Sequence, residues 1–207
     1  MDLSLYLPFL GAAFLLIIAP GPDNIYILTK SLAAGARQGV TVAWGLATGP
    51  IWHTALVMAG VAAFIQSSPA AFRALTFCGA AYLLYLSYCS FKSGGGKITI
   101  GEDKDHMKSF ALYRRGFLMN ASNPKVLLFF LALLPQFIST GASFPPALQI
   151  GIMGLTFSIM TGCIFSLFAL CAGKLRNTLM THENFPLIMS RVEGTLLAAI
   201  ALGLVLL

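Results

Sequence analysis

Apolar residues dominate the chain in six long runs, and polar positions fall mainly between them. The runs cover residues 3–19, 40–65, 72–91, 112–138, 147–172 and 185–207. A helix needs about 20 predominantly apolar residues to cross the hydrocarbon core of a bilayer. Glycine, proline and serine, which favour turns, gather in the connections between the runs. The pattern therefore predicts an all-α integral membrane protein with six transmembrane helices.

At two of the six runs, proline occurs together with polar and charged residues. The first run leads into Pro20, Gly21, Pro22, Asp23 and Asn24, and the fourth contains Asn123, Pro124 and Lys125. Proline has no backbone N–H and clashes with the preceding turn, so it interrupts a helix and frees carbonyl groups. In a bilayer these groups must be satisfied by protein or by a water-filled cavity. We therefore expect both breaks to face the interior of the helix bundle.

The two breaks occupy corresponding places in the two halves of the chain. The longest polar connection, residues 93–111, separates a first repeat at about 1–92 from a second at about 112–207. Each half holds three predicted spans, and an odd number gives the halves opposite orientations in the membrane. Paired interrupted helices in inverted repeats indicate the binding site of a secondary transporter. The sequence thus predicts a single membrane transporter domain, 1–207, made of two inverted three-helix repeats.

Composition and charge agree with lipid as the surrounding solvent. The chain has 57% hydrophobic and 10% charged residues with a mean hydropathy of +0.83, whereas about a quarter of the residues of a soluble domain are charged. Most of the 13 lysines and arginines lie in the first, third and fifth connections. Basic connections stay on the cytoplasmic side. Both termini are therefore expected on the periplasmic face of the inner membrane, and no nucleic acid partner is expected.

Asp23 and Lys125 are the charges that the breaks place within apolar runs. Each directly follows the proline of its own break, although a charge at mid-membrane costs about 2.5–3.5 kcal/mol. Opposite charges at equivalent positions indicate either a mutual ion pair or the two poles of a site. A zwitterionic amino acid would place its ammonium on Asp23 and its carboxylate near Lys125 or a helix N-terminus. The alternative is that both side chains lie near the membrane surface and extend into water.

Other residues in the predicted spans have two interpretations each. His53 either relays protons or makes one hydrogen bond to a neighbouring helix. Gly45 and Gly49 form a GxxxG pair, which packs helices within one bundle or joins two chains, so a homo-oligomer is left open. The four cysteines lie in apolar runs without a CxxC pair and are expected to be buried free thiols, with no disulfide or metal site.

Aromatic residues at helical spacing are expected to fill the interior. Tyr82, Tyr85 and Tyr88 recur along the third predicted span, where packing is the simplest explanation. Trp44 and Trp52 of the second span are candidates for the lining of a cavity.

At these motifs the chain resembles the LysE/RhtB family of bacterial amino-acid exporters. The matching segments are APGPDN at 19–24, GARQG at 35–39, the series Gly45, Gly49 and His53, GAAYLLYL at 79–86, and GFLMNASNPKVLLFFLALLPQF at 116–137. The resemblance covers nearly the whole chain. Ser87 stands where relatives often have glycine, a departure that concerns the packing of the third span.

The resemblance implies export of amino acids or close derivatives across the bacterial inner membrane, driven by the proton gradient. By this resemblance, Pro20, Gly21, Pro22, Asp23 and Asn24 match the family's motif in the first half. Asn123, Pro124 and Lys125 match its motif in the second half. Members of the family differ in substrate among basic, small hydroxylated and branched amino acids, so the shared motifs do not select one. The implied partners are an amino acid, protons and the lipid bilayer, and no cofactor is implied.

The leading mechanism is alternating access, with one repeat moving against the other about the two breaks. Asp23 would exchange a proton for the ammonium of the substrate. If Asp23 instead forms a tight pair with Lys125, His53 becomes the better proton carrier.

Three other classes of function compete with this interpretation. A passive small-solute channel requires polar rings along a continuous pore, which the pattern lacks. An enzyme requires a nucleophile with a base, or a metal cluster, and the sequence shows neither. A structural protein would leave the two charges without a role.

Overall fold

The computed structural model describes residues 2–67, 69–93, 108–139, 141–181 and 184–206. Within these residues all of the regular structure is helical, which confirms the predicted all-α class. The α-helices are α1 Leu3–Ile18, α2 Pro22–Ala34, α3 Ala36–Ser67, α4 Pro69–Lys92, α5 Ser109–Ala121, α6 Pro124–Leu128, α7 Pro146–Thr181 and α8 Phe185–Leu206. A π-helical turn, Phe129–Leu133, and a 3₁₀ turn, Leu134–Phe137, follow α6. The greater part of the predicted connection 93–111 lies outside the described residues.

Three helical segments are long and apolar enough to cross a membrane: Arg73–Lys92, Pro146–Ala172 and Phe185–Leu206. Two bent pairs qualify as single spans, α1 with α2 at 55° and α5 with the segment Pro124–Phe137 at 50°. By length and composition, the described part of the chain thus has between three and five candidate spans. The predicted span 40–65 lies inside the single helix α3. It contains glycines, tryptophans and His53, and α3 is not among the candidate spans of the described residues.

Both predicted helix breaks are present. The first lies between α1 and α2, where Gly21 is extended with a φ of 179° and Pro22 begins α2. The second lies between α5 and α6, where the side chain of Asn123 caps α6 by accepting a hydrogen bond from the backbone N–H of Lys125 at 3.0 Å. Proline at the first turn and asparagine at the N-cap are the preferred residues at these positions.

The connection between α2 and α3 is shorter than the sequence predicts. Lys30, expected in the first cytoplasmic connection, lies inside α2 and is only 2% exposed. The chain turns at Gly35 alone, which has a φ of +90° and a ψ of 156°. This conformation is nearly restricted to glycine. After the first break, α2 therefore extends to Ala34, and Gly35 alone connects it to α3.

Small residues set the contact between α3 and α5. A side chain at Gly45 would collide with the backbone of Tyr113, and one at Gly49 would collide with the side chain of Asn120. On the opposing helix, Gly116 lies against the backbone of Val42. The GxxxG pair therefore packs helices within this bundle, which confirms the first of its two interpretations.

Two further helix pairs complete the bundle. Helix α3 also packs along α7, where the hydroxyl of Ser158 donates to the carbonyl of Ala47. Helix α4 packs along α8, and the buried Ser87 hydroxyl donates to the carbonyl of Gly194 at 2.6 Å. Ser87, which departs from the pattern of similar sequences, thus supplies a hydrogen bond between these helices.

Several residues expected in the interior lie on the outer surface. Tyr82, Tyr85 and Tyr88 are 37–60% exposed. Trp44 and Trp52 are 46% and 51% exposed, and neither lines the two cavities described below. The cysteines are free as predicted, but Cys78, Cys163 and Cys171 are exposed and Cys89 is partly buried. In a membrane protein the outer surface is also apolar, so hydrophobicity alone does not separate the two sides of a helix.

Candidate functional site

Asp23 joins the two helix breaks directly. It lies in the first turn of α2 and is 6% exposed. Its Oδ2 accepts hydrogen bonds from the side-chain amides of Asn120 and Asn123, each at 3.1 Å. Asn120 lies in the last turn of α5 and Asn123 caps α6. The breaks therefore face the interior, as predicted.

Lys125, in the second break, contacts the chain at the first break. It is 8% exposed, and its Nζ donates to the carbonyl of Ala19 at 3.1 Å. Ala19 is the C-cap of α1, so the ammonium satisfies a carbonyl at the end of that helix. The interpretation of Asp23 and Lys125 as surface residues that extend into water is wrong, because both side chains are buried at the contact between the breaks.

Asn24 and Gly21 complete the first break. The side-chain amide of Asn24 donates to the carbonyl of Ile17 at 3.2 Å. A Cβ on Gly21 would lie 3.2 Å from Nζ of Lys125 and 3.3 Å from Oε1 of Glu193. The missing side chain of Gly21 thus lets two charged groups approach the backbone between Pro20 and Pro22.

The sequence analysis missed two residues of the site. Glu193, on α8, places its Oε1 next to Gly21, where Nζ of Lys125 also lies. An ionisable residue inside a predicted span was the signal for it. Asn120 lies within the motif GFLMNASNPK, but only the fold shows that its amide reaches Asp23.

His53 lies next to this network. Its side chain is fully buried, and its Nε2 is 3.1 Å from the carbonyl oxygen of Asn120. A carbonyl oxygen can only accept, so Nε2 carries the hydrogen. Within the described part of the chain, Nδ1 has no hydrogen-bond partner. His53 is therefore connected to Asp23 through a single residue, Asn120.

Two cavities flank the first break. The smaller, of about 10 Å³, is lined by Leu16, Ile17, Asp23, Asn24, Asn120, Lys125, Val126, Phe157, Thr161 and Phe165. The larger, of about 70 Å³, lies between α2 and α8 and is lined by Pro20, Gly21, Asn24, Ile25, Leu28, Phe185, Pro186, Met189, Ser190 and Glu193. Asn24 lines both cavities, so the broken segment lies between two cavities of different volume.

Comparison with known proteins identifies relatives that match over most of their length. The leucine efflux protein of Klebsiella pneumoniae is 27% identical over 202 residues, which cover 96% of this chain and 91% of that protein. The leucine efflux protein of Salmonella typhimurium is 28% identical over 205 residues, which cover 95% and 92%. An uncharacterized membrane protein of Vibrio cholerae is 30% identical over 194 residues, which cover 93% and 91%. No solved structure matches the chain.

The sequence model of the LysE type translocators matches residues 14–207. This range includes both breaks and all of the helices except the start of α1. The chain therefore belongs to the family of LysE type translocators, and it is a transport protein rather than an enzyme.

Proposed function

We propose that this protein is a secondary active exporter of amino acids or close derivatives in the bacterial inner membrane. In this proposal efflux is coupled to proton entry and proceeds by alternating access. The observation that carries the proposal is the direct contact of the two breaks through Asp23, Asn123 and Lys125. The leucine efflux proteins among its relatives support an amino acid as the substrate.

The packing of the helices supports two inverted repeats. With α3 as a sixth span, each half contains a bent pair followed by two helices. The bends are similar, 55° and 50°. Helix α3 packs on α7 and α4 packs on α8, so each pair joins helices at the same position in the two halves. In such transporters one repeat moves against the other around a central site.

The orientation of the chain follows from the distribution of its basic residues, which favours both termini on the periplasmic side. Reporters that are active on only one side of the membrane, fused at each terminus, test this orientation. Activity on the cytoplasmic side at either terminus would contradict it.

In this proposal the breaks bind the polar ends of the substrate. Lys125 attracts the carboxylate of the amino acid. The N-terminus of α2, which follows Pro20 and Gly21 and begins with Pro22, adds N–H donors and a favourable dipole. Asn24, Asn123 and Pro124 shape the same region. A molecule bound there would compete with the bond from Lys125 to Ala19 and so affect the contact between the repeats.

Asp23 is the proposed proton carrier. Its carboxylate is held by two amide donors at the contact between the breaks, so a change in its charge would alter that contact. A proton that moves down a membrane potential releases about 2.3 kcal/mol per 100 mV. This energy would sustain a gradient of roughly 50-fold for a neutral zwitterion.

Transport by the purified protein tests the function. The chain is reconstituted into liposomes that are loaded with labelled leucine, threonine or lysine and placed in an acidic external buffer. We expect efflux of at least one amino acid that is accelerated by the inward proton gradient and slowed by a protonophore. Efflux that is insensitive to the protonophore would indicate a passive channel instead. No efflux of any amino acid beyond that of protein-free liposomes would reject the proposal.

A further inference from the structure

The larger cavity contains a carboxylate to which the proposed transport mechanism gives no role. We call this cavity the α2/α8 pocket, and its volume is about 70 Å³. Its lining includes the apolar side chains of Ile25, Leu28 and Met189 and the carboxylate of Glu193. A pocket with an apolar wall and a small number of polar groups is typical of a small-molecule site.

Two opposite charges lie beside Gly21, which lines this pocket: Glu193 also lines it, whereas Lys125 lines the smaller cavity. Nζ of Lys125 and Oε1 of Glu193 both lie next to Gly21, where a Cβ would be 3.2 Å and 3.3 Å from them. Lys125 is hydrogen-bonded to the carbonyl of Ala19 and is attracted electrostatically by Glu193. A zwitterion at this position would find a cation for its carboxylate and an anion for its ammonium.

Asp23 is less suited to receive the ammonium. Two amide donors already occupy its Oδ2. The cavity beside it has a volume of only about 10 Å³, which is close to the minimum for a single water molecule. Glu193, in contrast, lines a cavity about seven times larger.

We propose that the α2/α8 pocket is the loading site for a zwitterionic amino acid with an aliphatic side chain. Glu193 binds the ammonium, Lys125 binds the carboxylate, and Ile25, Leu28 and Met189 contact the side chain. This inference rests on the proposed function as an amino-acid exporter. It adds Glu193 as a binding residue and leaves Asp23 to respond to protons.

The position of the pocket fits loading from the cytoplasm. Phe185 and Pro186, the first residues of α8, line one end of it. They follow the fifth connection, which the distribution of basic residues places on the cytoplasmic side. An exporter must accept its substrate from that side.

The test compares leucine with 4-methyl-2-oxopentanoate, which has the same side chain and carboxylate but no ammonium. Both compounds are used to inhibit efflux of labelled leucine by the reconstituted full chain. We expect wild type to favour leucine over the oxo acid by about tenfold or more, because a hydrogen bond to a charged group is lost with the ammonium. Glu193→Gln should raise the KM for leucine about tenfold and bring the two inhibitors close to equal potency. A purely structural role of Glu193 would weaken both inhibitors equally.

Asp2→Asn is the matched control. Asp2 is an exposed carboxylate that caps α1, and asparagine is an equally good cap, so this variant should keep wild-type discrimination. Leu28→Trp fills the apolar side of the pocket and should raise the KM for leucine at least about tenfold more than the KM for alanine. If Glu193→Gln does not insert into the membrane, Glu193→Asp and Leu28→Trp provide the test.

The possible failures are distinguishable. Wild type that transports no amino acid would overturn both the proposed function and this site. Active wild type, together with a Glu193→Gln variant of unchanged KM and discrimination, would overturn this inference alone. Unchanged transport by Leu28→Trp would show that the substrate does not occupy this pocket, and it would also overturn the inference.

Discussion

The side-chain amide of Asn123 donates a hydrogen bond to Oδ2 of Asp23 at 3.1 Å, across a sequence separation of 100 residues. The carbonyl oxygen of the same side chain accepts from the backbone N–H of Lys125 and caps α6. One residue therefore begins a helix in the second half of the chain and binds the break of the first half. The relative position of the two breaks depends on it.

Asn123→Ala should destabilise the protein by about 2–4 kcal/mol. The substitution removes an N-cap, which contributes about 1 kcal/mol, and a hydrogen bond to a charged group, which contributes about 1.5–3 kcal/mol. The midpoint of thermal unfolding in detergent, followed by circular dichroism, gives the comparison. Ser122→Ala is the control, because the Ser122 hydroxyl is exposed and bonds only to carbonyls of its own helix, α5. Equal midpoints for the two variants would contradict the role of Asn123.

Asp23→Asn should leave the protein folded and inserted but abolish proton-coupled efflux. The new side chain still has an oxygen that can accept a hydrogen bond from Asn120 or Asn123, but it carries no ionisable proton. Efflux from loaded liposomes, with and without a proton gradient, is the measurement. Asp2→Asn makes the same chemical change at an exposed position and should behave as wild type. Efflux by Asp23→Asn that still responds to the gradient would remove Asp23 from the mechanism.

His53→Gln should retain proton-driven efflux. The Nε2 of His53 donates to the carbonyl of Asn120, and the glutamine amide can supply the same donor. The sequence allowed two roles for His53, proton relay or a single hydrogen bond to a neighbouring helix. The bond to Asn120 favours the second, structural role. The same liposome assay applies. The opposite result, with coupling lost in His53→Gln and kept in Asp23→Asn, would identify His53 as the proton carrier.

Gly45→Ala should be strongly destabilising, whereas Gly60→Ala should be tolerated. A Cβ at Gly45 would collide with the backbone of Tyr113 on α5, but no described atom outside its own helix turn lies within 4 Å of a Cβ at Gly60. Both residues lie on α3, so helix propensity favours alanine equally at the two positions. Overpacking costs about 1–3 kcal/mol, which thermal unfolding in detergent should detect. Similar stability of the two variants would show that α3 and α5 can separate without cost.

The helical class and both breaks could be predicted because they depend on local chemistry. Proline lacks a backbone N–H and is favoured in the first turn of a helix, and Pro22 and Pro124 both lie there. The neighbouring Gly21 and Asn123 distinguish these breaks from Pro8 and Pro50, through which α1 and α3 continue. The cap of α6 is local in the same way, since the side chain of Asn123 reaches the backbone two residues away. The small size of Gly45 and Gly49 predicted a close helix contact, and the structure shows that this contact lies within the bundle.

Properties that depend on which side of a helix faces the protein were not predictable. The stripe Tyr82, Tyr85 and Tyr88 has the spacing of a packed face, yet the structure exposes it. In a soluble protein, polarity separates the inner and outer sides of a helix. In a chain surrounded by lipid, both sides are apolar and the pattern loses this information. Lys30, counted in the first connection from the sequence, lies inside α2 and is buried.

The sequence by itself determined that the chain is helical and apolar, that two helices break at proline, and that one acidic and one basic side chain accompany those breaks. Only the tertiary structure decided which groups meet: the amide of Asn120 on Asp23, the ammonium of Lys125 on the Ala19 carbonyl, and Glu193 beside Gly21. The physical reason is the range of the interactions. Backbone breaks and caps arise from residues within one helical turn, whereas these contacts join residues about 100 or more positions apart, whose separation is set by the packing of whole helices.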